Sequence, residues 1–220
     1  MTWELDSHQG LPYRVLLPSP YTPHNRRYPV VVYLHGSGER GTDTWAQLKN
    51  GIRIFEQPVL QSRFPAIVVA PQAPPGATFG GSWYGGTSDT QRAVLSLIES
   101  LRGRQSVDPR RVGLIGFSMG AIGGWDMVVR RPELFSAFVA LAGDLNPTDV
   151  DSLNVPTWAF HGAEDTLVSN QATRAAYERA KRRNLELRYT EVPGVGHNVW
   201  QPAFEHPGLY DWLFAQSRSG

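Results

Sequence analysis

Gly116-Phe117-Ser118-Met119-Gly120 constrains this chain more than any other stretch. It follows an apolar run, Val112-Gly113-Leu114-Ile115, and precedes a helix-compatible run that ends near Arg130. Strand, sharp turn and helix form the setting in which G-x-S-x-G holds a nucleophilic serine. The glycines have a steric reason: a serine at such an elbow has a strained backbone, and a side chain two residues to either side would crowd it. Ser118 is therefore the candidate nucleophile.

A serine hydroxyl is a poor nucleophile without a base to take its proton and an acid to orient that base. Around such an elbow the chain order is Ser, then Asp or Glu, then His. Val155-Pro156-Thr157-Trp158-Ala159-Phe160 reads as a buried strand running into the loop His161-Gly162-Ala163-Glu164-Asp165. Asp165 is the favoured acid, with Glu164 and Asp144 as competitors. The favoured base is His197, in the turn Pro193-Gly194-Val195-Gly196-His197 after an alternating strand, Leu185 to Thr190. Of the six histidines, His35 and His161 each precede a glycine at a strand end, where a structural hydrogen bond is the commoner role.

Pro29-Val30-Val31-Val32-Tyr33-Leu34 is nearly all apolar, as expected of a central parallel strand, and ends in His35-Gly36-Ser37-Gly38. Hydrolases with this elbow take one oxyanion donor from the loop after such a strand and one from the residue after the nucleophile. The matching donors are the backbone N–H groups of Ser37 and Met119. Gly36-Ser37-Gly38-Glu39-Arg40-Gly41 also fits G-x-G-x-x-G, with Glu56 standing 20 residues beyond Gly36. The context of a dinucleotide site is missing, because no helix opens at once and the next strand, 66–70, lies beyond Glu56.

A chain of 220 residues is expected to form one domain, 1–220. Its net charge of +1 and lack of a basic face with interleaved aromatics argue against nucleic acid. There are no cysteines, so thiol catalysis and disulfides are excluded. No apolar run reaches membrane-spanning length, and Met1 to Asp6 shows no signal-peptide pattern. The expectation is a cytoplasmic protein, or a secreted one whose signal has been removed.

Along the chain the pattern predicts an antiparallel hairpin around Gly10, a strand at 30–34, a weak helix near 44–60 and a strand at 66–70. A helix carrying Ala93, Val94, Leu97, Ile98 and Leu101 follows the capping candidates Thr87, Ser88 and Asp89. Next come the strand at 112–115, the helix after Ser118, a strand at 135–142, the strand at 155–160, a helix at 170–183, the strand at 185–190 and a last helix near 208–216. Alternating strands and helices imply an α/β fold with a mostly parallel sheet covered on both faces.

This order resembles the α/β-hydrolase fold over essentially the whole chain. Leu34 to Gly41, Val107 to Val112, the elbow, and Val195-Gly196-His197-Asn198 with Tyr210-Asp211-Trp212-Leu213 are similar to small serine esterases. Those are the phospholipase/carboxylesterase-like and polyhydroxybutyrate-depolymerase-like groups, often labelled predicted peptidases. The resemblance implies that Ser118, Asp165 and His197 form the triad. It differs at Ala121, where many relatives carry glycine. It also implies that a lid, where present, follows the strand at 135–142; Gly143 to Asn154, about a dozen residues, leaves little material for one.

The expected activity is hydrolysis of short-chain or small soluble esters, with a small-molecule ester as partner and no metal or organic cofactor required. Activity should fall below about pH 6–7 as the base protonates. Phe79, Trp83 and Tyr84 lie in a glycine-rich connection on the catalytic edge, where they either wall a substrate site or pack the loop down. Trp200 and Trp45 are further candidates to flank the site. A serine peptidase, a polyester or plant-polymer (feruloyl or acetyl) esterase, and a silent binding protein are the alternatives.

Overall fold

Long apolar runs build the centre of the structure. The computed structural model describes residues 2–218; Met1, Ser219 and Gly220, the ends of the expected 1–220 domain, lie outside the described residues. An N-terminal hairpin joins β1 (Glu4–His8) to β2 (Leu11–Leu16), followed by β3 (Tyr28–Leu34), α1 (Pro58–Arg63), β4 (Ile67–Pro71) and α2 (Asp89–Arg102). Then come β5 (Val107–Phe117), α3 (Met119–Arg130), β6 (Ala137–Leu141), β7 (Thr157–Gly162), α4 (Gln171–Arg182), β8 (Leu187–Val192), α5 (Trp200–Phe204) and α6 (Leu209–Ala215).

The strands form one eight-stranded sheet in the order β1-β2-β4-β3-β5-β6-β7-β8. The hairpin pairs antiparallel with itself and with β4, and the other pairings are parallel. From β3 the chain leaves to β4 on one side, and β5 lies on the other. That reversal is the switch point at which an open parallel sheet presents loops to a ligand.

Successive side chains of a strand point to opposite faces. Along β3, Val30, Val32 and Leu34 join one buried cluster with Leu114, Leu97 and Trp125, while Val31 and Tyr33 join another with Ile115, Phe204 and Leu213. Helices α2, α3 and α4 therefore cover one face, and α1, α5 and α6 the other. Both faces being buried, the central strands have no polar side to alternate with, and they read as continuous apolar runs.

Ser88 is the residue that caps α2: its hydroxyl accepts the Gln91 N–H at 3.1 Å. The weak helix expected near 44–60 is instead broken into short 3-10 turns at Ala46–Leu48 and Ile52–Glu56, ahead of the six-residue α1. Asn50 (φ 57°) and Gly51 (φ 89°) both adopt left-handed backbone, which a right-handed helix cannot contain. No described helix is long and apolar enough to cross a membrane.

Phe138, fully buried on β6, meets the edge of Trp125 at 5.2 Å and packs against Gly124, joining the sheet to α3. Phe138→Ala is expected to lower stability by about 3–5 kcal/mol, read as a fall in the urea unfolding midpoint. An unchanged midpoint would mean that this seam does not hold α3 in place.

Candidate active site

Ser118 stands between β5 and α3 with φ 52° and ψ −117°, outside the regions that side-chain-bearing residues favour. The surroundings force this geometry. A β-carbon at Gly116 would overlap the carbonyl of Gly120, and one at Gly120 would overlap the carbonyl of Leu34 on β3. Only glycine at both positions lets the chain turn here against the neighbouring strand. The Ser118 N–H donates to the Leu141 carbonyl of β6 at 2.8 Å, which fixes the turn to the sheet. Ala121, the departure from the family pattern, lies against Gly143, so a small residue fits there.

The structure brings the three residues singled out from the sequence into one line. Ser118 Oγ lies 2.9 Å from His197 Nε2, and His197 Nδ1 lies 2.8 Å from Asp165 Oδ2. They are 79 and 32 residues apart in sequence, so the loops must be held together by other means. The Glu164 N–H donates to the Val195 carbonyl (2.9 Å) and the Ala163 N–H to the Val192 carbonyl (3.0 Å). Gly162 presses against the Gly196 carbonyl so closely that a β-carbon would overlap it. The acid loop and the histidine loop are thus laced to each other before either side chain acts.

The competing acids go elsewhere. Glu164 is exposed, and Asp144 accepts the indole N–H of Trp83. Asp165 has a fully buried side chain. Burial alone would raise its carboxyl, but the Val168 N–H (3.0 Å), His197 and the Leu167 N–H (2.9 Å) hold it below the ordinary carboxylate range. An ionised acid beside Nδ1 leaves Nε2 free to accept the serine proton.

Ser37 and Met119 each open a helical turn, at Ser37–Glu39 and at the start of α3. First-turn N–H groups have no partner within their own helix. His35, fully buried, fixes the carbonyl before Ser37. Its Nε2 accepts the Ala73 N–H at 3.0 Å, so its Nδ1 carries the hydrogen and donates to the Gly36 carbonyl at 2.6 Å. Burial pushes its pKa down to about 4, so the ring is neutral when it does this.

The candidate substrate residues divide. Phe79 is fully buried, edge-on to His35 at 5.0 Å, and so belongs to the core rather than to a wall. Trp83 and Tyr84 are exposed at 49% and 37%. Trp200 packs onto the second core cluster and against Gly51, with a buried indole nitrogen. Trp45 is exposed but stacks on Arg14 at 3.7 Å. Two features escaped the sequence reading. Leu167, two residues past the acid, is 70% exposed, and His161 lies 3.3 Å from the Asp165 carboxylate. An apolar residue in a loop carries no signal of exposure, and a histidine at a strand end signals a structural hydrogen bond but not which groups lie beside it.

The neutral His35 makes stability depend on pH. Its folded pKa lies below the unfolded value of about 6.5, so between about pH 6.5 and 4 the unfolded chain binds more protons. Its contribution is present above pH 6.5 and is lost as pH falls toward 4. Urea unfolding should show wild-type stability falling over that window, and falling less steeply in His35→Gln. Parallel slopes for the two proteins would contradict this.

Residues 8–192 match the Esterase family. A thermostable esterase of solved structure superposes with a TM-score of 0.89 at 32% identity, over 94% of this chain and 60% of that one. Dipeptidyl-peptidase 5 of Porphyromonas gingivalis is 26% identical over 247 aligned positions, covering 90% of this chain and 35% of that protein. A ferulic acid esterase from Anaeromyces mucronatus, solved with ferulic acid, shares the fold with a TM-score of 0.64 at 21% identity, over 94% of this chain and 85% of that one. The chain thus spans about 60% of the thermostable esterase and about a third of the peptidase. A family match over most of the chain, on a sheet of this order, makes this chain a member of the Esterase family with the α/β-hydrolase fold.

Proposed function

We propose that the protein is a serine carboxylesterase that acts on short-chain or small soluble esters, with the 220 residues serving as one catalytic domain. One observation carries the reading: the unbroken hydrogen-bonded line from Ser118 Oγ through His197 to the buried Asp165. In this mechanism Ser118 Oγ attacks the ester carbonyl as His197 Nε2 takes its proton. The N–H groups of Ser37 and Met119 receive the developing oxyanion; each such donor is worth about 100- to 1000-fold in rate. His197 then protonates the departing alcohol, and water, activated by the same base, releases the acid. Asp165 keeps the imidazole in the required tautomer and offsets its positive charge. The reaction as written calls on no metal or organic cofactor.

The preference for small substrates rests on the connection from 143 to 154. It holds one short 3-10 turn, Asp149–Ser152, anchored to α4 where Asp151 pairs with Arg179. That leaves no segment of this connection to close over Ser118. We read Trp83, held by Asp144, and Tyr84 as one wall of the substrate site. The ferulic acid esterase fold relative makes an aromatic acyl group a natural occupant of that wall.

The likeness to dipeptidyl-peptidase 5 favours a second reading, peptide hydrolysis by the same three residues. Matched ester and amide substrates separate the two. The ester should exceed the amide in kcat/KM by well over about 100-fold, because an amine leaves only after protonation. Equal or reversed values would favour the peptidase.

Ser118→Ala is expected to cut turnover of p-nitrophenyl butyrate by about 10,000-fold or more, with folding unchanged. Full turnover by that variant would refute the assignment. Trp83→Ala should lower kcat/KM for methyl ferulate about 10-fold while leaving p-nitrophenyl acetate within about 2-fold. An equal effect on both esters would remove Trp83 from the acyl wall.

A further inference from the structure

His161 is a buried, titratable group that the acyl-transfer steps do not use. It is the penultimate residue of β7, with no solvent exposure, four residues before Asp165. Its Nε2 faces two acceptors, the Val168 carbonyl at 3.0 Å and Asp165 Oδ2 at 3.3 Å. Neither oxygen can donate, so Nε2 carries a hydrogen in every protonation state of the ring. Its Nδ1 faces the Thr173 hydroxyl on α4 at 3.2 Å, and that hydroxyl also reaches the Gly143 carbonyl at 3.1 Å. Thr173 has one hydrogen to give. It is shared between the Gly143 carbonyl, to which the hydroxyl donates, and the lone pair of Nδ1 in a neutral ring.

Asp165 Oδ2 accepts from His197 at 2.8 Å, while His161 Nε2, whose N–H is bonded to the Val168 carbonyl, stands 3.3 Å from the same oxygen. Oδ1 is occupied by the N–H groups of Leu167 and Val168. The other charged group beside His161 is Glu191, its register partner on β8, which pairs with Arg174 of α4 and accepts from the Tyr189 hydroxyl. Asp165 is thus the carboxylate nearest the His161 N–H, and Val168 links the two, accepting from His161 at its carbonyl and donating its N–H to Asp165 Oδ1.

We propose that His161 is a positioning residue for Asp165: its Nε2–H holds Val168, whose own N–H binds Asp165 Oδ1, and its polar edge 3.3 Å from Oδ2 limits how strongly that oxygen attracts the His197 proton. The inference rests on the reading of Ser118, His197 and Asp165 as a triad. Second-layer partners of this kind set both the orientation and the basicity of the group they hold. Without His161, Asp165 becomes more basic. The cationic form of His197 is then favoured, and the base is lost at a higher pH.

The test is the rate at which a fluorophosphonate labels the protein as a function of pH, a readout that needs no knowledge of the natural ester. His161→Leu should lower the plateau rate about 10-fold or more and move the pH midpoint up by about half a unit. His161→Gln, whose amide N–H can address the Val168 carbonyl, should restore both. A midpoint unmoved in His161→Leu, or a His161→Gln variant as impaired as His161→Leu, would overturn the proposal and leave only a packing role. A wild type that takes no label at all would instead remove the Ser118 reading, and this inference with it. If His161→Leu does not fold, the wild type decides. Long-range proton–nitrogen correlation should find His161 protonated at Nε2 and bare at Nδ1 near neutral pH, and the opposite tautomer would leave no hydrogen for the Val168 carbonyl.

Discussion

The turn at Ser118 ties the sheet to the site. A serine at φ 52° occupies backbone space that costs on the order of 1–3 kcal/mol, and it persists only because its neighbours leave no alternative. Those neighbours are the sheet itself. Leu34 of β3 presses on Gly120, and the Leu141 carbonyl of β6 accepts the Ser118 N–H. The two strands flanking β5 therefore fix the hydroxyl from both sides. The switch point of the sheet then puts the loop after β3, with Ser37, beside the same turn.

Around that turn the polar groups are held by full sets of partners. Asp165 is buried yet ionised, because backbone N–H groups and imidazoles surround it. His35 is buried and neutral, because one ring nitrogen accepts and the other donates. Each arrangement meets the rule that a buried polar group needs its partners. Each also fixes which atom carries a hydrogen.

Much of this was legible in the sequence. A central strand buried on both faces has no polar alternation, so 30–34 and 112–115 stood out as apolar runs. The glycines of the elbow, the strand-end acid and the loop histidine are chemical signals in themselves, and the structure brings His197 within hydrogen-bond distance of both Ser118 and Asp165. The weak helix expected near 44–60 was not legible as drawn. Its helix-compatible residues are overridden by left-handed backbone at Asn50 and Gly51, where Gly51 packs under Phe204 and Trp200. That contact joins segments about 150 residues apart, and no local pattern encodes it. Phe79 is another such case: one aromatic in a glycine-rich loop reads equally as a wall or as loop packing, and its ring is drawn under the loop onto His35. His161 likewise meets Asp165 only once β7 has ended and the loop has folded back.

On the proposed reading, the strained turn aims Ser118 Oγ at a carbonyl whose oxygen is received by backbone N–H groups. A crystal structure of the phosphonylated protein tests it most directly. The account predicts phosphorus bonded to Ser118 Oγ, with one phosphonyl oxygen about 2.7–3.1 Å from the nitrogens of both Ser37 and Met119. Phosphorus on another side chain, or an oxygen turned away from both N–H groups into solvent, would contradict it.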